Sequence, residues 1–427
     1  MIHDALRSLL DEQQATQQLT DAGLDLAIAT PDYVRYKPKQ PTMIGYRFLS
    51  RDGSETRGYA VWCPDPPRAS AIYDKALSLR PRRSVFGPGV IRLNDNAVVY
   101  GFPNDARLRR LRWYSQPRKI KRSLHGLPGL LDDISSHRTN VEVLRYKPER
   151  RVVVRIDLVS RTRLKIPVVL RYTTGRDAPL LAKTAEALRR NGVATPAPLA
   201  QIENGRVGID EFAAGEQLRS IIDRGLASPA ATADAIQHFH RTTPPSGTAK
   251  RLIDDDLFQA RKALSGLAEL HPSLAGPLAA LAQRLSRTAP HNPGPLRLIH
   301  GDLHPKNILG DPTGHDDTIT FVDLERAAVG QPASDLGRLL GHAKALEIRD
   351  PGSYATATEF AQTVIDRYRV GVPIPDAELS WYTAIALIDQ ATLVARHLEG
   401  DWRWSSAYLA AAAFRELATT STRKELV

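Results

Sequence analysis

Past Gly215 the apolar residues of this 427-residue chain recur every three or four positions, whereas between 141 and 213 they run in short alternating or β-branched blocks. A helix buries one stripe at a period of 3.6 and a strand buries one face at a period of two. The change of period therefore predicts two differently built halves, a small sheet followed by a helical body. In the first half, Val152–Ile156 and Ile166–Tyr172 read as strands around the polar turn Ser160–Lys165. Ala178–Asn191 places Leu180, Leu181, Ala185 and Leu188 on one helical face and stops at Asn191-Gly192. Val193–Ile202 and Val207–Phe212 read as two more strands around Gly205. In the second half, helices are expected over Leu218–Ile222, Ala230–His240, Leu257–Leu270, Leu274–Leu285, Tyr354–Tyr368, Leu379–Leu398 and Ser405–Leu417. Leu296–Val322 interrupts them and reads as strand, loop, strand.

The first 140 residues carry a hint of their origin. Val34-Arg35-Tyr36-Lys37-Pro38-Lys39 recurs 110 positions later as Leu144-Arg145-Tyr146-Lys147-Pro148-Glu149. A β-like run, a polar turn, a second apolar run and a helical stretch follow each copy. Two copies are too few for a solenoid. They predict a hairpin-plus-helix unit used once in an N-terminal module (1–140) and again in a lobe over 141–213, with a helical lobe over 214–427. The N-terminal module is thus a candidate degenerate copy of the lobe, unless the short Tyr-Lys-Pro similarity arose by chance.

The net charge of +11 is uneven: residues 1–240 carry +13 and residues 241–427 carry −2. Arg107–Arg122 holds eight Lys/Arg and no acid. Such a run is either a site for an anionic partner or the solvated face of a helix. Trp113 and Tyr114 are too few for a platform that stacks single strands, so nucleic acid is disfavoured as a partner. A single cysteine, Cys63, fits a reducing compartment. Met1–Leu19 has amphipathic helical spacing without a basic segment and apolar run of the secretory kind. No apolar stretch is long enough to span a bilayer. A cytoplasmic protein without membrane contact is expected, and its oligomeric state is left open.

The chemistry concentrates in Leu298-Ile299-His300-Gly301-Asp302-Leu303-His304-Pro305-Lys306-Asn307-Ile308-Leu309, then Ile319-Thr320-Phe321-Val322-Asp323-Leu324-Glu325, then Gly330-Gln331-Pro332-Ala333-Ser334-Asp335-Leu336. Phosphoryl transfer needs a carboxylate beside the attacking hydroxyl and hard oxygen ligands for magnesium. Asp302 follows a strand, Asn307 lies five positions on, and Asp323 closes the next strand, so a hairpin would return it to Asn307. This order resembles the His-Gly-Asp-x-His-x-x-Asn catalytic loop of the aminoglycoside phosphotransferase and choline kinase superfamily of small-molecule kinases.

The resemblance covers about residues 141 to 400. It implies a bilobal, protein-kinase-like α+β fold and an ATP- and magnesium-dependent phosphotransferase, with GTP a possible substitute donor. Its partner would be a small molecule with a free hydroxyl, of the sugar, amino sugar, aminoglycoside or amino alcohol type. Asp302 would be the catalytic carboxylate, and Asn307 and Asp323 the metal ligands. His300 would hold the loop with Asp335 as a buried partner, and His304 would be structural at the site. Glu325 would reach metal or substrate, or instead pair with Arg326. Glu186 falls where the family's lobe-linking helix has a glutamate that pairs with a strand lysine. Asp210–Gly215, with Glu211 and Phe212, matches the hinge that reads adenine.

Two departures stand out. The strand lysine is replaced by Arg171, which keeps the charge in a longer, planar form. The hairpin turn that would cover the phosphates, Tyr146–Arg151, has no glycine, so either Lys147, Arg150 and Arg151 supply charge there or it is a solvated basic turn. Arg171 keeps open a rival, a pseudokinase that binds without catalysis, and the basic N-terminal module keeps open another, a kinase of peptide Ser/Thr.

Overall fold

The computed structural model describes residues 4–36, 39–126, 134–291, 293–314, 317–352 and 355–422. Lys37 and Pro38 of the repeat and Tyr354 at the start of an expected helix lie outside them. The chain divides into two compact units, one of residues 1–178 and 199–212, the other of 179–198 and 213–427.

The first unit opens with α1 (Asp4–Ser8) and α2 (Glu12–Asp21). The single N-terminal helix expected from spacing is broken here, because Asp11 caps α2 by accepting the amide of Gln14. Strands β1 (Ile28–Arg35), β2 (Thr42–Leu49) and β3 (Glu55–Trp62) follow, then α3 (Pro66–Ser78), β4 (Val90–Asn94) and β5 (Ala97–Gly101). After α4 (Pro117–Leu124) come β6 (Asn140–Lys147), β7 (Arg151–Val159), β8 (Lys165–Thr173), β9 (Pro198–Ile202) and β10 (Val207–Glu211). The first sheet runs β1-β2-β3-β5-β4 and the second β6-β7-β8-β10-β9. Both have one strand order, and in both a helix is inserted between the third and fourth strands.

Alternation along the strands explains how these sheets stack. Tyr59, Val61, Val98 and Tyr100 enter one core with Val152, Val154, Ile156 and Leu158 of the second sheet. Their sequence neighbours Ala60, Trp62, Ala97 and Val99 turn to the other face, where Leu6, Leu9 and Leu19 of the helices cover them. The first sheet is therefore buried on both faces, and residues 1–140 share a core with the 141–213 lobe. The basic run 107–122 is not one solvated helix face. It folds into a 3₁₀ turn (Leu111–Trp113) and α4, with Leu108, Leu111, Tyr114 and Ile120 pointing into that shared core. Expected strand Val193–Ile202 begins only at Pro198.

The second unit contains α5 (Ala178–Arg190), β11 (Glu216–Gln217), α6 (Leu218–Asp223), α7 (Pro229–Arg241), α8 (Ile253–Leu270), α9 (Ala275–Arg287), β12 (Arg297–Ile299), β13 (Ile308–Gly310), β14 (Thr320–Phe321), β15 (Ala328–Gly330), α10 (Pro332–Arg349), α11 (Ala355–Gly371), α12 (Asp376–His397) and α13 (Trp402–Thr422). Helix α10 was not among the expected helices. Its residues from Pro332 to Gly341 are all buried, so no amphipathic stripe marks it. Gly337 is what lets it approach α12, since a Cβ there would meet Tyr382 Cβ at 2.5 Å. Among the described residues no helix is long and apolar enough to cross a membrane.

Candidate active site

Strand β12 delivers Asp302, but it does not pair with the strand that delivers Asp323. Its partner is β15, with Ile299 opposite Ala328, while β13 pairs with β14, with Ile308 opposite Phe321. The hairpin that brings Asn307 and Asp323 together is thus β13–β14, and Val322 N–H donates to the Asn307 carbonyl at 3.0 Å. The loop before it is turned by Gly301 at φ +75, where a Cβ would lie 2.1 Å from the Arg326 carbonyl oxygen. Only glycine fits that position.

Asp335, in the first turn of α10, anchors the loop. Its carboxylate accepts the backbone amides of His300 (2.6 Å) and Gly301 (2.8 Å) and contacts His240 Nε2 of α7 at 3.1 Å. His240 Nδ1 lies 2.8 Å from the Tyr368 hydroxyl. Burial opposes the charge on Asp335, but the His240 hydrogen bond and the neighbouring imidazoles hold its carboxyl below the ordinary value. Sequence had paired Asp335 with His300, and the pairing is made through the backbone rather than the ring. The His300 ring donates from Nε2 to the Val322 carbonyl (2.9 Å) and receives the Asp302 amide at Nδ1 (3.4 Å). One imidazole thereby ties the Asp302 loop to the strand end beside Asp323.

Asp302 lies between two guanidiniums, Arg326 and Arg338, each at 3.6 Å. Burial acts to raise its carboxyl, and these two cations with His304 and His300 outweigh it, holding it below the usual carboxylate range. Arg338 is itself braced by Asp389 of α12 at 3.1 Å. Arg251 pairs with Asp256 and donates to the Gly301 carbonyl at 3.1 Å. Arg326, a candidate partner for Glu325 on sequence, reaches Asp302 at 3.6 Å. Arg338, Asp389, Asp256 and Arg251 were missed on sequence, although Arg338 follows Asp335 by three residues and so lies on the same helix face.

Asn307 donates from its side-chain amide to the Asp302 carbonyl at 3.0 Å. That fixes the amide nitrogen and frees the Asn307 side-chain oxygen for another partner. Asp323 takes a left-handed backbone at φ 61, and Glu325 follows it on the 3₁₀ turn Leu324–Arg326. His304 stacks on His342 of α10 with ring centroids 4.7 Å apart. Burial pushes His304 down to about 4 and His342 to about 3, so both rings are neutral at neutral pH.

The residues expected at the nucleotide behave differently. Glu186 belongs to α5 in the second unit, while Arg171, Lys147, Arg150, Glu211 and Phe212 belong to the first. Arg171 reaches Asp210 on the adjacent strand at 3.0 Å. Phe212 packs under the Arg155 guanidinium at 4.3 Å. In the Tyr146–Arg151 turn, Glu149 takes the positive φ of 58 that a glycine would favour. Its amide is donated to Asp105 at 2.9 Å, so that turn is held by the N-terminal module.

Residues 132–377, more than half of the chain, match the model of the phosphotransferase enzyme family. The chain belongs to that family. Comparison with curated proteins finds no match for this phosphotransferase. Among solved structures it is similar to the choline kinase of Cryptosporidium parvum Iowa II, with TM-score 0.51 and 14% identity, covering 72% of this chain and 97% of that one. It is also similar to the spectinomycin phosphotransferase APH(9)-Ia, with TM-score 0.50 and 11% identity, covering 71% and 98%. At such identities the likeness is one of fold, that of the kinase-like small-molecule phosphotransferases.

Proposed function

We propose that this phosphotransferase moves the terminal phosphoryl group of ATP to a hydroxyl of a small molecule, with Asp302 as the base. The observation that carries the reading is the Asp302 carboxylate, fixed on a rigid loop beside the Asn307–Asp323 hairpin. As the acceptor oxygen bonds to phosphorus and the donor's bridging P–O bond breaks, Asp302 takes the hydroxyl proton. The APH(9)-Ia structure contains ADP and spectinomycin, which supports a nucleotide donor and a small-molecule acceptor here.

Magnesium fits the donor set. Asn307 and Asp323 offer hard oxygens, and magnesium is commonly held by one or two side chains with phosphate oxygens completing the shell. Among the described residues no group of three or more His, Cys, Asp or Glu is placed to hold a metal without such help. When bound, the ion would neutralise charge on the phosphates. Arg171, Glu186, Lys147, Arg150, Glu211 and Phe212 remain nucleotide candidates through the family resemblance.

The acceptor reading follows from charge. Asp302 lies between Arg326 and Arg338, Asp389 faces Arg338, and Asp256 faces Arg251. Carboxylates already compensated by arginines attract a polycation weakly, which favours a sugar-like or amino alcohol hydroxyl over a strongly cationic aminoglycoside. Residues 1–140, with the strand order of the lobe they pack on, are read as a second copy of that lobe that braces its hairpin turn through Asp105.

Calorimetry tests the reading. Wild type is expected to bind ATP in a magnesium-dependent way, and Asp323→Ala to lose that dependence. A wild-type chain that binds no nucleotide with or without magnesium overturns it. Arg338 acts as a positioning residue through Asp302. In Arg338→Gln one of the cations that lower the Asp302 carboxyl is gone, so that group titrates at higher pH. The acidic limb of the pH–rate profile is expected to move upward. A purely structural role would lower the rate at every pH and leave the limb in place.

A further inference from the structure

The first unit contains a cavity of about 140 Å³ that no part of the proposed reaction uses. It lies between the C-terminal end of α3, strands β4 and β5, and the loop after β5. Four arginines line it: Arg80, Arg82, Arg109 and Arg112. Among the described residues none of the four has a carboxylate partner. The one acid lining the cavity, Asp105, is already saturated. Its two oxygens accept the amides of Arg107 (2.8 Å), Leu108 (2.7 Å) and Glu149 (2.9 Å) and the Tyr146 hydroxyl (2.7 Å). Arg112 Nε is buried and makes no hydrogen bond among the described residues, a costly arrangement unless something accepts from it.

The backbone that presents these cations is rigid. Asn104 accepts the Arg82 amide at 2.9 Å and donates to the Arg82 carbonyl at 2.9 Å and the Gly101 carbonyl at 2.8 Å. Gly89 comes so near that a Cβ would lie 1.8 Å from the Arg82 carbonyl oxygen. Nearby Lys119 has its ammonium pKa lowered, by burial first and then by Arg82, Arg112 and Arg122, a sign of crowded like charge. Guanidiniums held around one hollow, whose single lining acid Asp105 is engaged elsewhere, repel one another, and an anion relieves that repulsion.

We propose that this cavity is a binding site for a small phosphate-bearing anion, either inorganic phosphate or a phosphomonoester. Planar guanidinium forks match phosphate oxygens two at a time, and the hollow is large enough for one such head group. The site belongs to the N-terminal half and is separate from the Asp302 loop.

Calorimetry on the full chain with EDTA present, titrating inorganic phosphate and separately phenyl phosphate, tests it. One saturable site is expected in wild type and equally in Asp323→Ala, which disables the metal position of the second unit. Arg82→Gln/Arg112→Gln is expected to weaken that binding by at least about tenfold. Should this pair fail to fold, the exposed pair Arg80→Gln/Arg109→Gln reads the same loss. Tighter binding of phenyl phosphate would identify the monoester as the ligand, and equal binding the free ion. The proposal is overturned if neither probe saturates, or if the arginine variants bind as wild type does. It is also overturned if only a single-stranded oligonucleotide binds, with an affinity that falls steeply with salt.

Discussion

Asp302→Asn is expected to reduce turnover by roughly 10²–10⁴-fold, the range for losing a general base, while leaving the fold in place. The amide keeps the size of the carboxylate but cannot take a proton at neutral pH. Arg338 retains Asp389 at 3.1 Å, so the substitution strands no buried charge. Melting should therefore stay close to wild type, and nucleotide binding by calorimetry should persist. Loss of turnover with retained binding places Asp302 in the chemical step. A variant turning over within about tenfold of wild type would remove Asp302 from that role and with it the proposed mechanism.

Asp335→Ala is expected to destabilise the second unit by about 3–5 kcal/mol, the cost of removing one partner from a buried charged cluster. The carboxylate is 1% exposed and serves two backbone amides and the His240 ring. Alanine would leave all three donors buried and unmet. Chemical denaturation of wild type and variant measures the difference, and a loss below about 1 kcal/mol would show that the loop is held elsewhere. The effect has a pH signature. The Asp335 carboxyl titrates lower in the folded chain than its usual 3.8, so its contribution is fully present above that value. It is lost as pH falls through the lower folded value. The gap between wild type and Asp335→Ala should accordingly be constant from neutral pH to about 4 and close in stronger acid.

Periodicity carried much of the architecture. Strands β7, β8 and β10 and helices α5 to α9 and α11 to α13 follow from apolar spacing, because most of them bury one face and leave the other wet, although Trp381–Ile388 of α12 is buried all round. The Asp302, Asn307 and Asp323 constellation was legible for a related reason: its members lie within a few residues of short apolar strands, and their spacing survives as a motif. The similarity between Val34–Lys39 and Leu144–Glu149 pointed toward two hairpin units, and both sheets have the same strand order.

Other features were decided only when distant segments met. The first ten residues of α10, Pro332 to Gly341, are all buried and so show no stripe, and only the tertiary structure sets Tyr382 of α12 against Gly337. The pairing of β12 with β15 rather than β14 depends on which backbone edges are free after β13 and β14 join, which spacing cannot express. Arg338 looks like any helix arginine until folding sets it between Asp302 and Asp389, which lie 36 residues before it and 51 after it. The same holds for the four arginines of the N-terminal cavity. Sequence by itself determined the local elements and the order of the candidate site residues, because those rest on neighbours within a turn or a hairpin. Tertiary structure alone decided which charges compensate one another, because electrostatic partnership depends on distance in space and on burial.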